Sequence, residues 1–162
     1  MAETLSVVDM LPNKFEPKRK FRWIFQIEGI DAFLMKTANR PSMTFEKTTI
    51  DWINSKRWLA GKHSFEPVEI TLLSAIAPSS EQQVMEWWRL CGEMVSGRGG
   101  YADFYKRDIQ IKALDALGTV CELWDGKGCW IESANFGDLD YASSDAMEIT
   151  LSIQADLWTL QF

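Results

Sequence analysis

From Ala146 to Trp158 apolar and polar residues alternate without a break. Met147, Ile149, Leu151, Ile153, Ala155 and Leu157 fall on one side of an extended chain, and Glu148, Thr150, Ser152, Gln154 and Asp156 on the other. No helical register fits this pattern, which predicts a strand of roughly a dozen residues spanning about 40 Å. So long a strand needs equally long neighbours for its backbone groups, and an antiparallel sandwich or barrel supplies them.

Shorter alternations fill most of the remaining chain. Phe21, Trp23, Phe25 and Ile27 alternate with Arg22, Gln26 and Glu28, Ile24 being the exception, and Gly29 to Asp31 supplies a turn before Ala32 to Thr37, which predicts a hairpin. Arg40 and Pro41 interrupt, and Thr44 to Asp51 reads as an exposed strand rich in β-branched residues. Trp52 to Pro67 shows no period and reads as a long loop, followed by a strand carrying Val68, Ile70 and Leu72. One helix is predicted from Ser80 to Ser96. Ser79 and Ser80 each precede a Gln by three residues, Gly97 is placed to end the helix, and Val84, Trp87, Trp88, Cys91, Met94 and Val95 form its apolar stripe. Asp108 to Asp115 alternates with Ile109, Ile111 and Ala113 on one side. The chain then turns at Ala116 to Gly118, returns over Val120 to Trp124, turns at Asp125 to Gly128 and continues from Cys129 to Phe136. The fold class expected is mainly β: an antiparallel sandwich or barrel of about eight strands with one flanking helix.

A chain of 162 residues, 46% of them hydrophobic, suffices for one compact core. Residues 1–20, with Pro12, Pro17 and the basic cluster Lys14, Lys18, Arg19, Lys20 and Arg22, read as an N-terminal arm, and residues 21–162 as a single β domain. The net charge of −6 argues against a general nucleic-acid binder. Charge is uneven, +1 over residues 1–81 and −7 over 82–162, which favours head-to-tail contact between copies. No apolar run is long enough to span a membrane, and the N-terminus lacks a signal-peptide pattern. Cys91, Cys121 and Cys129 are odd in number and lack paired spacing, so they read as reduced thiols.

Catalytic patterns are missing from the sequence. The single histidine, His63, has no nucleophile signature around it, Asp125 to Cys129 lacks the phosphate-loop spacing, and Cys121, Cys129 and His63 lack a fourth metal ligand. No enzyme, cofactor or metal is expected. The segment from Trp52 to Pro67 is more informative, because Trp52, Ile53, Trp58, Leu59 and Phe65 lie among Lys56, Arg57 and Lys62. Clustered Trp and Arg are common anchors of protein interfaces, so Trp52, Ile53, Arg57, Trp58 and Leu59 are candidate inter-subunit contacts.

Taken in order, several stretches resemble the tail tube proteins of contractile-tailed bacteriophages and, more distantly, Hcp-type tube proteins. They are the strand FRWIFQIEGI, the break at Arg40 and Pro41, the segment NSKRWLAG at Asn54 to Gly61, the helix with Trp87, and the ending MEITLSIQADLW at Met147 to Trp158. Two departures stand out: an arginine precedes Pro41 where an apolar residue is expected, and the arm is longer than usual. The resemblance implies a non-enzymatic subunit that forms hexameric rings stacked into a hollow tube inside a contractile sheath. It also implies baseplate and tail terminator proteins as partners, a place in the virion tail after synthesis in the host cytoplasm, and DNA passing through the lumen without specific binding. Lumen-facing candidates are Asp108, Gln110, Lys112 and Glu122, with Glu46 and Thr48 on a neighbouring hairpin expected from Phe33 to Asp51. The alternatives are the tube of a bacterial secretion or extracellular contractile injection system and, from another class, a monomeric ligand-binding β-barrel.

Overall fold

The structure, a computed structural model, describes residues 15–162. Residues 1–14 of the expected arm lie outside the described residues, and Phe15 to Phe21 runs exposed, without helix or strand, through a half-buried Arg22 into the first strand. Nine strands follow: β1 (Trp23–Ile27), β2 (Met35–Ala38), β3 (Met43–Trp52), β4 (Ser55–Phe65), β5 (Val68–Leu73), β6 (Arg107–Leu114), β7 (Val120–Asn135), β8 (Glu148–Gln154) and β9 (Leu157–Leu160). Helix α1 (Ser80–Cys91) and the single-turn α2 (Ala102–Tyr105) lie between β5 and β6. Seven strands build the body in the order β1-β6-β7-β8-β5-β2 with β9 also on β7, while β3 and β4 form a separate two-stranded ribbon. All pairings are antiparallel.

The two halves of the body are joined because β7 belongs to both. Its first part pairs with β6 and β9 and its last part, from Trp130, with β8. The expected turn at Asp125 to Gly128 is instead a bend within this one 16-residue strand. Gly128 has φ of +64°, open to glycine at little steric cost, and a Cβ there would lie 2.3 Å from Asp156 Oδ2. Gly126 carries the Trp158 indole directly above it, and a Cβ would lie 2.6 Å from the ring. The glycines that read as a turn in sequence let β9 pair alongside β7 with the Trp158 ring laid over Gly126.

The final alternating stretch is likewise two strands. Ile149, Leu151, Ile153 and Ala155 are buried as expected, but the chain steps at Ala155 and Asp156, where the Asp156 N–H donates to Lys127 O at 3.1 Å. Beyond that step the inward parity changes: Trp158 is buried while Leu157 is exposed. Leaving β8, the chain joins the other half of the body as β9.

Core side chains converge from both halves. Phe25, Ile27, Ile109 and Ile111 face Val68, Ile70, Leu72, Ile131, Ile149, Leu151 and Ile153, with Val84 and Trp87 of α1 in the same cluster. The hairpin expected over residues 21–37 is not formed: β1 pairs with β6 and β2 with β5. Each strand finds its partner elsewhere because its apolar face is completed only there.

Helix α1 is shorter than its sequence suggests. The Ser79 side chain caps it by accepting from Gln82 N–H at 3.4 Å, and Val84 and Trp87 are buried, yet the helix ends at Cys91. There the chain reverses, with Gly100 N–H donating to Cys91 O and Glu93 N–H to Arg98 O, which leaves Met94 and Val95 exposed outside the stripe. Trp87 Nε1 donates to Tyr105 O at 2.7 Å, and the Arg107 guanidinium stacks 4.9 Å from its ring centre. These contacts fix α1 against the body, with Val84 and Trp87 turned into the core.

Candidate functional site

Residues 52–67 are not a loop but most of a hairpin. A two-residue turn, Ile53 and Asn54, joins β3 to β4, and the ribbon leaves the body between Ala38 of β2 and Val68 of β5. Every residue of β3 is exposed, as are all but Gly61 and Phe65 of β4. All five candidate contact residues are brought together on it: Trp52 is 63% exposed, Ile53 100% and Trp58 61%, with Arg57 and Leu59 also exposed. None folds back onto the body.

Register explains why no period was visible. Thr49 pairs with Trp58, Thr48 with Leu59, Ile50 with Arg57 and Trp52 with Ser55, so Trp58 lies on one face and Ile50, Trp52 and Leu59 on the other. A one-residue shift between Phe45 and Lys47 keeps Met43, Phe45, His63 and Phe65 on the Trp58 face, where the His63 ring stands edge-on to Phe45 and Phe65 at 6.1 and 5.5 Å. Apolar side chains on both faces, and two edges that pair with no other strand among the described residues, leave nearly every surface of this ribbon uncovered.

The lumen candidates divide three ways. Asp108, Gln110 and Lys112 share one outward face of β6, as their alternation predicts. Around them Lys127 Nζ donates to Asp108 at 2.6 Å and lies 3.5 Å from Asp125, while Lys112 Nζ donates to Gln26 Oε1 at 2.8 Å. The hydrogen bond to Asp108 is the main cause holding the Lys127 ammonium pKa above its ordinary value. Both lysines of this face are therefore engaged by neighbouring oxygens. Glu46 and Thr48 do not stand beside it, because β3 pairs only with β4 and no Phe33–Asp51 hairpin exists.

Glu122 cannot face the same way as Asp108. It pairs with Ala113, which puts it on the apolar face of the sheet, and it is only 6% exposed. Its carboxylate accepts from Lys18 Nζ at 2.5 Å and from Trp124 Nε1 at 2.5 Å, and lies 3.5 Å from Arg40 Nη1. The Lys18 hydrogen bond, followed by those of Trp124 and the charges of Lys18 and Arg40, holds its pKa below the usual carboxylate value against the opposing effect of burial. Sequence alternation could not reveal this, since Glu122 fits a polar outward position as well as an inward one with partners from distant segments. Burial pushes the Cys129 thiol up to about 12, which keeps it protonated and unreactive.

No family model matches the chain. Two curated tail tube proteins do. That of Serratia phage KSP90 is 24% identical over 116 residues, 71% of this chain and 66% of the relative, just under two thirds of its length. Tail tube protein gp19 of Enterobacteria phage T4 is 26% identical over 133 residues, 78% of this chain and 80% of the relative. Among solved structures, a chain of the anti-feeding prophage tube-terminating cap superposes with a TM-score of 0.74 at 18% identity, covering 99% of both chains. A chain of the PVC sheath/tube terminator, from an extracellular contractile injection system, gives 0.73 at 14% identity, covering 91% of this chain and 99% of that one. Hcp1 from Flavobacterium johnsoniae gives 0.52 at 14% identity, covering 87% and 95%. The chain thus resembles phage tail tube proteins in sequence over most of its length, and its fold is that of tail tube and Hcp proteins.

Proposed function

We propose that this chain is a structural subunit of a phage tail tube, stacked as hexameric rings into a hollow conduit for DNA inside a contractile sheath. One observation carries the assembly part of this reading: a ribbon of some twenty residues exposes Trp52, Ile53, Trp58 and Leu59 with nothing among the described residues of its own subunit to cover them. In a monomer such a surface is an aggregation liability, and repeated contact between copies would bury it. Residues 1–20 serve as an arm and residues 21–162 as the tube domain. Sheath, baseplate and terminator proteins are the partners implied by the kinds of assembly in which its structural neighbours occur. The subunit has no catalytic role and its place is the virion tail.

The β6 face bearing Asp108, Gln110 and Lys112 is the candidate lumen wall. Its lysines are tied to Asp108, Asp125 and Gln26, so few cations stand free to hold phosphates, and a polyanion slides more readily along such a wall. Purified protein examined by sedimentation and negative-stain microscopy tests the proposal. It predicts hollow tubes or rings; a stable monomer at all concentrations and salts contradicts it. A second reading, the tube of an extracellular contractile injection system, is favoured by the TM-scores of 0.73 and 0.74 to chains of such particles. DNA recovered within native particles separates the two.

A further inference from the structure

The two departures from the tail tube pattern meet at one atom group. Lys18 belongs to the long segment before β1, Arg40 is the residue before Pro41 at the root of the hairpin, and both reach the carboxylate of Glu122 near the start of β7. They come from positions 104 and 82 residues away in sequence. A carboxylate this buried is costly unless charged and hydrogen-bonding partners compensate, and here they come from Lys18, Arg40 and Trp124. Arg40 is also preset: the proline that follows restricts it to an extended backbone, which limits the directions its side chain can take.

We propose that Glu122 is a positioning residue whose carboxylate fastens the pre-β1 segment and the root of the β3–β4 hairpin to one point of β7, and so sets the direction in which the hairpin leaves the body. The need for such a device follows from how the root is held: beyond the end of the β2–β5 ladder and the packing of Ala38 and Phe65 on the core, few ties reach it. Its backbone ties to the body and across the ribbon are Asn39 N–H to Glu69 O and Glu66 N–H to Ser42 O, each 3.0 Å, and Gln154 Nε2 donates to Phe65 O at 2.9 Å. A ribbon of ten and eleven residues pivoting on so few bonds would sample many angles, and each is a loss of preorganisation when a neighbour must be met. Fastening the N-terminal segment to the same carboxylate couples the two elements, so displacement of one loosens the other.

The inference rests on the hairpin being an assembly surface, and its test has one arm that does not. Glu122→Gln keeps the side-chain shape and an acceptor for Trp124 but removes the charge; Arg40→Gln removes one cation from an exposed position. In free subunits, amide exchange at Asn39 and Glu66 and tryptic cleavage after Lys18, Arg19 and Lys20 should each quicken by about tenfold in Glu122→Gln, the scale of losing a charge-assisted hydrogen bond. In the polymerisation assay each single variant should slow growth by about tenfold, and the double variant should be no slower than Glu122→Gln, because both changes break the same fastening. Singles that assemble at the native rate, multiplicative losses in the double variant, or unchanged exchange and cleavage in the subunit each overturn the proposal. Should Glu122→Gln fail to fold, Lys18→Gln with Arg40→Gln gives the same readouts, with tryptic cleavage followed after Arg19 and Lys20. Absence of any polymer from the native chain would instead overturn the tube reading, and the subunit measurements would still decide the role of Glu122.

Discussion

Strands β4 and β8 lie in one chain and obey opposite rules. In β8 the residues Ile149, Leu151 and Ile153 vanish into the core while Thr150 stays exposed, so one face meets protein and the other water. In β4 no side chain is fully buried, and its large apolar residues, Trp58 and Leu59, are adjacent and point to opposite faces. The difference lies in where each strand finds its covering layer. Strand β8 is covered by its own subunit, which writes a period of two into the sequence, whereas a ribbon covered by other copies on both faces, as the proposed assembly requires, needs no such period. On that proposal, a stretch rich in Trp, Ile and Leu without periodicity marks a surface completed by assembly.

The contrast is broken most severely from the buried side. Leu151→Ala should cost about 2–5 kcal/mol of folding stability, read as a lower urea midpoint, because Leu151 is fully enclosed and its loss leaves a cavity. Trp58→Ala should do the reverse. It should leave the midpoint within about 0.5 kcal/mol of native, yet weaken subunit association by about 2 kcal/mol, roughly thirtyfold, measured as the critical concentration for polymerisation. If Trp58→Ala unfolds the subunit while its soluble fraction still assembles normally, the division between core and assembly surface fails.

Gly126→Ala sharpens the comparison within the body. An added methyl would meet the Trp158 ring at 2.6 Å, so the pairing of β9 with β7 should be disturbed at a cost of about 1–3 kcal/mol in the same unfolding assay. The smallest effect is that of pH on Glu122. Its carboxyl pKa is lowered chiefly by the hydrogen bond from Lys18, with Trp124 and the charges of Lys18 and Arg40 adding to it. Its contribution is therefore complete above the ordinary carboxylate range and is lost as pH falls through the lowered folded value. Native protein should lose more stability than Glu122→Gln between about pH 5 and pH 3, and parallel curves would contradict this.

Much of this fold is legible in the sequence, and the illegible parts share physical causes. Ile109, Ile111, Ile149, Leu151, Ile153 and the α1 residues Val84 and Trp87 declare their burial through spacing alone. The partner of a strand is not declared: β1 leads into a turn signal toward β2 yet pairs with β6, because many apolar faces of similar width compete and only the assembled core selects among them. Asp125 to Gly128 has turn composition but makes a bend, since the same glycines that permit a reversal also permit the close approach of Trp158 and Asp156. The candidate contact residues are legible through composition, as uncovered tryptophans among basic residues. Glu122 is not, because its role depends on Lys18 and Arg40 arriving from afar.

The central claim is that the hairpin is ordered and covered by neighbouring copies while the body stands alone. Residue-resolved amide hydrogen exchange, compared between free subunits and assembled tubes, tests it most directly. A two-stranded ribbon is marginally stable in water, so the β3 and β4 amides should exchange fast in subunits and gain strong protection in tubes, whereas β5 and β8 amides should be protected in both. Hairpin amides that are equally protected in the two states, or that remain unprotected in tubes, would contradict the account.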